Sequence, residues 1–177
     1  MMNTNPTLTE LCVKSAVVHT ITYMFVGIFA STLLDYKTAF ASPELVCWMR
    51  QFDDPILQAG VLFQPIRGVL FGLAFYPVRE VVFGRRNGWL VLWWLLVALG
   101  ILGTFGPAPG SLEGMIFTRI RRQYLGYLEV VPQAFLLAVI VYYWVNRPDK
   151  KWISWTLGVL FVLSMVLPLL GLLAVSR

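Results

Sequence analysis

Charge is scarce in this sequence. Of 177 residues, 14 are Lys or Arg and 9 are Asp or Glu, so 13% are charged, where a soluble domain carries roughly a quarter. A water-soluble fold is excluded on that ground. Histidine occurs once, at position 19, and one imidazole makes no metal site alone. The two cysteines, Cys12 and Cys47, form no Cys-x-x-Cys pair, so thiol redox chemistry has no support. A Walker loop, paired metal histidines and a nucleophile elbow are all missing. No cofactor or metal is therefore expected, and an enzyme is the least favoured class. No repeat of about 20 to 50 residues is visible, nor inverted halves with matching broken helices, which disfavours a repeat-built transporter.

What fills the sequence instead is apolar: 58% of residues are hydrophobic and 15% aromatic. A helix needs about 20 apolar residues to cross a hydrocarbon core of roughly 30 Å. Five runs qualify: Ser15 to Leu34, Ile56 to Val78, Trp89 to Phe105, Tyr124 to Val145 and Trp152 to Val175. The pattern predicts an all-α, polytopic transmembrane bundle of five helices in a single domain. A removable signal peptide is disfavoured, because the run after Lys14 exceeds the roughly 7 to 15 residues of a signal core.

The net charge of +5 is scattered between apolar runs rather than gathered on one face, so nucleic acid is not an expected partner. The basic residues read instead as topology signals. Arg79, Arg85 and Arg86 lie between the second and third runs, and Arg147, Lys150 and Lys151 between the fourth and fifth. With five spans both connections fall on one face, which the positive-inside rule makes cytoplasmic. The N-terminus is then expected in the cytoplasm and Arg177 outside, in a membrane expected to be a bacterial inner membrane. Cys12 and Cys47 then lie on opposite sides and are not expected to pair. Arg119, Arg121 and Arg122 break the rule by falling outside, so they are candidate contacts for lipid phosphates or a partner's acids.

Two exterior segments are expected to form short interfacial helices. In Asp35 to Pro55, Ser42-Pro43-Glu44 reads as a helix start, with Ser as cap and Pro at the first helical position. Asp35, Asp53 and Asp54 are the acidic candidates there. The adjacent pair Asp53 and Asp54 suits the end of one helix and the cap of the next better than a cation site. In the second segment, Gly106-Pro107-Ala108-Pro109-Gly110 ends the third span, and Ser111 to Gln123 reads as an amphipathic helix, with a re-entrant loop as the alternative.

Polar groups inside the apolar runs carry the candidate site. An arginine at mid-span costs about 2.5 to 3.5 kcal/mol on insertion scales, so Arg67 requires a partner or a watery cavity. Gln64 shares its helix face. In the fourth run Glu129 and Gln133 share a face, with Pro132 between them. An Arg67–Glu129 ion pair is the sharpest expectation. It would serve either helix packing or an outward-facing polar cavity for a lipid headgroup or small solute, and the remaining alternative is an Arg67 that snorkels to the outer headgroups without a partner. His19 is expected to hydrogen-bond a neighbouring helix. Gly68 with Gly72, and Gly27 with Ser31, have the small-xxx-small spacing that lets helices approach closely.

The stretch Phe52-Asp53-Asp54-Pro55-Ile56-Leu57-Gln58, with Asp35 before it and Phe75-Tyr76-Pro77 after it, faintly resembles the emopamil-binding and sigma-2 receptor family. In that family, acidic groups near the first helix contribute to a sterol-binding cavity. The glutamate of that family's second helix is missing here and its usual four spans differ from five, so no assignment is taken from it. The leading expectation is an accessory or assembly subunit of a larger membrane complex, with membrane lipids and other subunits or a second copy as partners. The alternative is a lipid or small-solute binding or transport protein centred on Gln64, Arg67, Glu129 and Gln133.

Overall fold

Thr7-x-x-Glu10 starts the first helix, because the Thr7 side chain accepts the Glu10 amide at 3.2 Å and so satisfies a donor the helix itself leaves open. One turn on, Lys14 pairs with Glu10 at 2.6 Å. The result is α1, Leu8–Leu33, which begins seven residues before the apolar run does. The structure, a computed structural model, describes residues 5–121 and 123–175. Arg122 and Arg177 lie outside the described residues. All regular secondary structure among those described is helical.

Four helices are long and apolar enough to cross a membrane: α1, α2 (Pro55–Phe75), α4 (Gln123–Asn146) and α5 (Lys151–Ala174). Between them lies the shorter apolar helix α3, Gly88–Leu102. Its ten α-helical residues pass into a five-residue π-helical turn, giving about 22 Å of length against a core of roughly 30 Å. The third apolar run is therefore helical over less of its length than the sequence predicts. Gly103, Gly106 and Pro107 follow, and glycine with proline removes the means to continue it.

Side-chain contacts fix the directions of the helices. Gly68 and Gly72 of α2 lie on Ala16 and Cys12 of α1: a Cβ at Gly68 would sit 2.4 Å from the Ala16 Cα, and one at Gly72 2.5 Å from the Cys12 Cα. The two helices are thus antiparallel and touch backbone to backbone. The Lys14 ammonium reaches the Trp144 carbonyl at 3.2 Å, near the end of α4, a favourable place for a cation. Trp93 donates to the Val131 carbonyl at 3.3 Å, and both Trp89 and Trp93 pack edge-on against Phe135, so α3 is antiparallel to α4. Trp144 donates to Ser154 at 2.9 Å where α4 turns into α5.

The start of α1, the end of α2 and the turn between α4 and α5 consequently share one end, here called proximal. Arg79 binds Asn5 at 2.9 Å there, and Asn146 accepts the Gly84 amide at 2.8 Å. The apolar core lies in this half. Leu11, Val18, Leu92, Leu137 and Val141 are at most 2% exposed. Gly27 differs from Gly68, since a Cβ there would meet nothing within 4 Å. Among the described residues no helix of this chain is seated at that glycine.

The distal segments are less regular than expected. Asp35 takes a left-handed conformation (φ 44) and starts the short helix Tyr36–Phe40, a backbone position Asp tolerates better than most residues. From Ser42 onward there are successive turns instead of a continuous helix, held by Val46 to Ser42 and Met49 to Leu45 bonds of 2.9 and 2.8 Å. The second segment is helical over Leu112–Phe117 only, capped by Ser111. Gln123 stops it from extending. Its amide donates to the Gly114 carbonyl, Thr118 and the Ile120 carbonyl, and its oxygen takes the Gly110 amide at 3.0 Å. The segment is folded back on itself.

Candidate functional site

In the distal half the helices do not close on one another. A cavity of about 260 Å³ lies among α1, α2, α3, α4 and the loop after α3. His19 and Tyr23 reach it from α1, Arg67 and Phe71 from α2, Gly100 and Ile101 from the π-helical turn, Thr104 and Pro109 from the loop, and Glu129 and Gln133 from α4. Three of the four residues proposed from sequence, Arg67, Glu129 and Gln133, therefore share one space. A π-turn widens a helix and re-aims its side chains, and here it forms one wall.

The expected ion pair is not formed. Arg67 and Glu129 line the same cavity, but among the described residues no carboxylate lies within ion-pairing distance of Arg67. Its guanidinium instead lies 5.7 Å from the centroid of the Phe71 ring, within reach of a cation–π attraction. Glu129 is held by a different group: the Tyr36 hydroxyl donates a short hydrogen bond to its Oε2. The left-handed Asp35 turn carries Tyr36 back over the bundle to make that contact. Burial, and then the Glu129 carboxylate itself, push the Tyr36 hydroxyl well above the ordinary phenol range, so it stays a donor.

Gln64 stands behind the cavity rather than in it. Its amide nitrogen donates to the Gly60 carbonyl at 3.0 Å, and its oxygen faces His19 Nε2 at 3.0 Å. The expected hydrogen bond from His19 to a neighbouring helix is thus present, with Gln64 as the neighbour. His19 is 2% exposed and packs edge-on against Phe71 at 4.9 Å. Its Nδ1 is buried with no hydrogen-bond partner among the described residues.

The remaining candidates lie outside the cavity. Asp35 caps the Tyr36–Phe40 helix, accepting the Thr38 amide at 3.4 Å. Asp54 caps α2 through the Ile56 amide at 2.7 Å and pairs with Arg50 at 2.7 Å. The Arg50 hydrogen bond, with the Ile56 amide, holds the Asp54 carboxyl below the usual carboxylate range. Asp53 is exposed. Arg121 meets Glu44 of the other distal segment, through its amide at 2.9 Å and its guanidinium at 3.7 Å. Arg119 is exposed. Among the described residues no three His, Cys, Asp or Glu side chains gather to hold a metal.

Sequence reasoning did not place His19, Tyr23 or Tyr36 at the site. The first two had a detectable signal: Cys12, Ala16, His19 and Tyr23 recur at helical spacing, and Cys12 and Ala16 are the residues the glycine face of α2 rests on. Tyr36 had none, because its position depends on one backbone reversal.

Fold and site together define an all-helical bundle whose apolar helices are long enough to cross a membrane and whose distal half holds a half-open cavity with polar groups set in a largely apolar lining. Comparison with protein-family models, with curated proteins and with solved structures finds no match. The short acidic stretch around Asp53 and Asp54 accordingly carries no family assignment.

Proposed function

We propose that the chain is an integral membrane protein whose distal cavity binds a lipid headgroup or a small polar solute, reached from the exterior. The observation that carries this reading is the set of polar groups facing one space without satisfying one another. The Arg67 cation has no counter-ion, Glu129 has one oxygen committed to Tyr36, and Gln133 and the Tyr23 hydroxyl have no hydrogen-bond partner among the described residues. Charged groups left this way in a membrane are costly and face a cavity or a ligand. A concave, largely apolar space with a few convergent polar groups is the ordinary form of a small-molecule site.

Five spans follow if α3 crosses with the help of the loop after it, which brings the chain over the distal surface. The proximal end gathers Lys14, Arg79, Arg85, Arg86 and the basic turn before α5, so it lies in the cytoplasm and the cavity opens outward. A bacterial inner membrane suits the short connections.

One observation favours a second reading, an accessory subunit. Among the described residues α5 buries only Leu157 and Ser164, and a shallow apolar groove runs along it past Trp155, Gly158 and Val162. A neighbouring subunit or lipid would cover that face.

Native mass spectrometry of the protein in mild detergent tests both readings. A bound small molecule or single lipid that is lost in Arg67→Gln supports the cavity reading. A stoichiometric protein partner, with identical small-molecule occupancy in wild type and Arg67→Gln, overturns it in favour of the subunit reading.

A further inference from the structure

The hydrogen-bond chain behind the cavity fixes which nitrogen of His19 carries the proton. The Gly60 carbonyl can only accept, so the Gln64 group facing it must be the NH₂. The Gln64 oxygen therefore faces His19, and His19 Nε2 must carry the proton that bridges them. A neutral imidazole that donates from Nε2 presents a lone pair at Nδ1. That atom is sealed from the cavity and has no donor among the described residues, so His19 serves the cavity as a fixed ring packed edge-on against Phe71.

Glu129, which lines the cavity, keeps an unfilled acceptor. Tyr36 occupies its Oε2, and no described group donates to its Oε1. Arg67 makes the opposite demand, five N–H donors and a positive charge without an acceptor. The cavity thus offers one cationic donor and one anionic acceptor on separate walls. Its 260 Å³ corresponds to about eight or nine waters at roughly 30 Å³ each, enough for a compact headgroup. Phe71, Leu96 and Leu137 complete an apolar lining.

Building on the reading of the cavity as a ligand site, we propose that its ligand is a zwitterion joining a phosphate or carboxylate to a primary ammonium group, with the anion on Arg67 and the N–H donors on Glu129. Tyr36 is a positioning residue that fixes the Glu129 carboxylate. A phosphoethanolamine lipid headgroup and a free amino acid or phosphoethanolamine share this chemistry.

The test uses the full chain in nanodiscs. For the lipid arm, discs of dioleoyl-phosphatidylcholine are doped with dioleoyl-phosphatidylethanolamine or dioleoyl-phosphatidylglycerol, and the retained lipid is read by native mass spectrometry. For the soluble arm, phosphoethanolamine, glycine, phosphocholine and inorganic phosphate are titrated and the shift in melting temperature is read. The ethanolamine form should bind about tenfold or more tightly than the trimethylated form, which keeps the charge but has no N–H. Binding in both arms identifies the free zwitterion as sufficient, and binding in the lipid arm alone identifies a lipid headgroup.

Glu129→Gln keeps an oxygen for Tyr36 and should retain the fold. It should lose the preference for ethanolamine over choline, whereas Arg67→Gln should lose both ligands. Equal binding of choline and ethanolamine forms, or a preference for phosphatidylglycerol or inorganic phosphate that Glu129→Gln leaves unchanged, overturns the zwitterion but leaves a ligand cavity standing. Binding of no probe, with no co-purified small molecule in wild type, overturns both.

Discussion

The two halves of the bundle satisfy the same kind of chain in opposite ways. In the proximal half, Gly68 and Gly72 bring two backbones into contact, Leu11, Val18, Leu92 and Val141 fill the space between helices, and Lys14 finds both a carboxylate and a carbonyl. In the distal half, Arg67, Glu129, Gln133 and His19 surround a void and leave donors and acceptors unmatched. A chain able to pair Lys14 so completely is not short of means to pair Arg67. The difference locates close packing in one half and unmatched polar groups in the other.

The comparison breaks most visibly at the glycine seam. Gly72→Ala or Gly68→Ala drives a methyl group into helix backbone, which cannot rotate away, so each should destabilise the protein by about 2–3 kcal/mol, typical of overpacking. Thermal unfolding in detergent measures it. Tyr36→Phe comes next. It removes the donor to the Glu129 carboxylate and should cost about 1–2 kcal/mol, with faster hydrogen exchange over residues 36–40.

Arg67→Gln sharpens the contrast by what it does not do. Removing one partner of a buried ion pair typically costs about 3–5 kcal/mol, whereas this substitution should change ligand-free stability by no more than about 0.5 kcal/mol. With Glu129→Gln, its double-mutant cycle should be additive within about 0.5 kcal/mol, as for groups that share no partner. A large coupling energy would restore the packing reading of the pair.

The smallest effects lie at the surface. Gly27→Ala meets open space and, inside α1, should stabilise by about 0.5–1 kcal/mol through helix propensity alone. Asp54 has a carboxyl held below its ordinary range by Arg50 and the Ile56 amide. Its contribution to the start of α2 is therefore complete above the usual carboxylate value and is lost as pH falls through the lowered folded one. Hydrogen exchange of residues 56–58 should quicken only at strongly acidic pH, and Asp54→Ala should abolish that dependence.

Much of the fold was legible because length and apolarity decide it. The apolar runs, the glycine seam of α2 and the capping role of Asp54 follow from spacing and from the chemistry of Gly, Pro and Asp. The start of α1 was missed because an apolar count overlooks polar residues such as Thr7, Glu10 and Lys14, although Thr7-x-x-Glu10 is itself a capping signal. The distal segments were less legible. A Ser-Pro-Glu start predicts a helix, but Arg50, Gln51 and Asp54 compete for local partners, and Gln123 folds the second segment around itself. For the site, face-sharing brought Arg67, Glu129 and Gln133 to one space, while the partner of Glu129 depended on a turn that no periodicity encodes.

The most direct test of the central claim is the reactivity of a cysteine at position 133. In a chain carrying Cys12→Ser, Cys47→Ser and Gln133→Cys, a membrane-impermeant maleimide applied from the outer face should modify residue 133 at a rate comparable to Asp53→Cys in the same background. No modification until the protein is unfolded, or modification only from the cytoplasmic face, would contradict an outward-opening polar cavity.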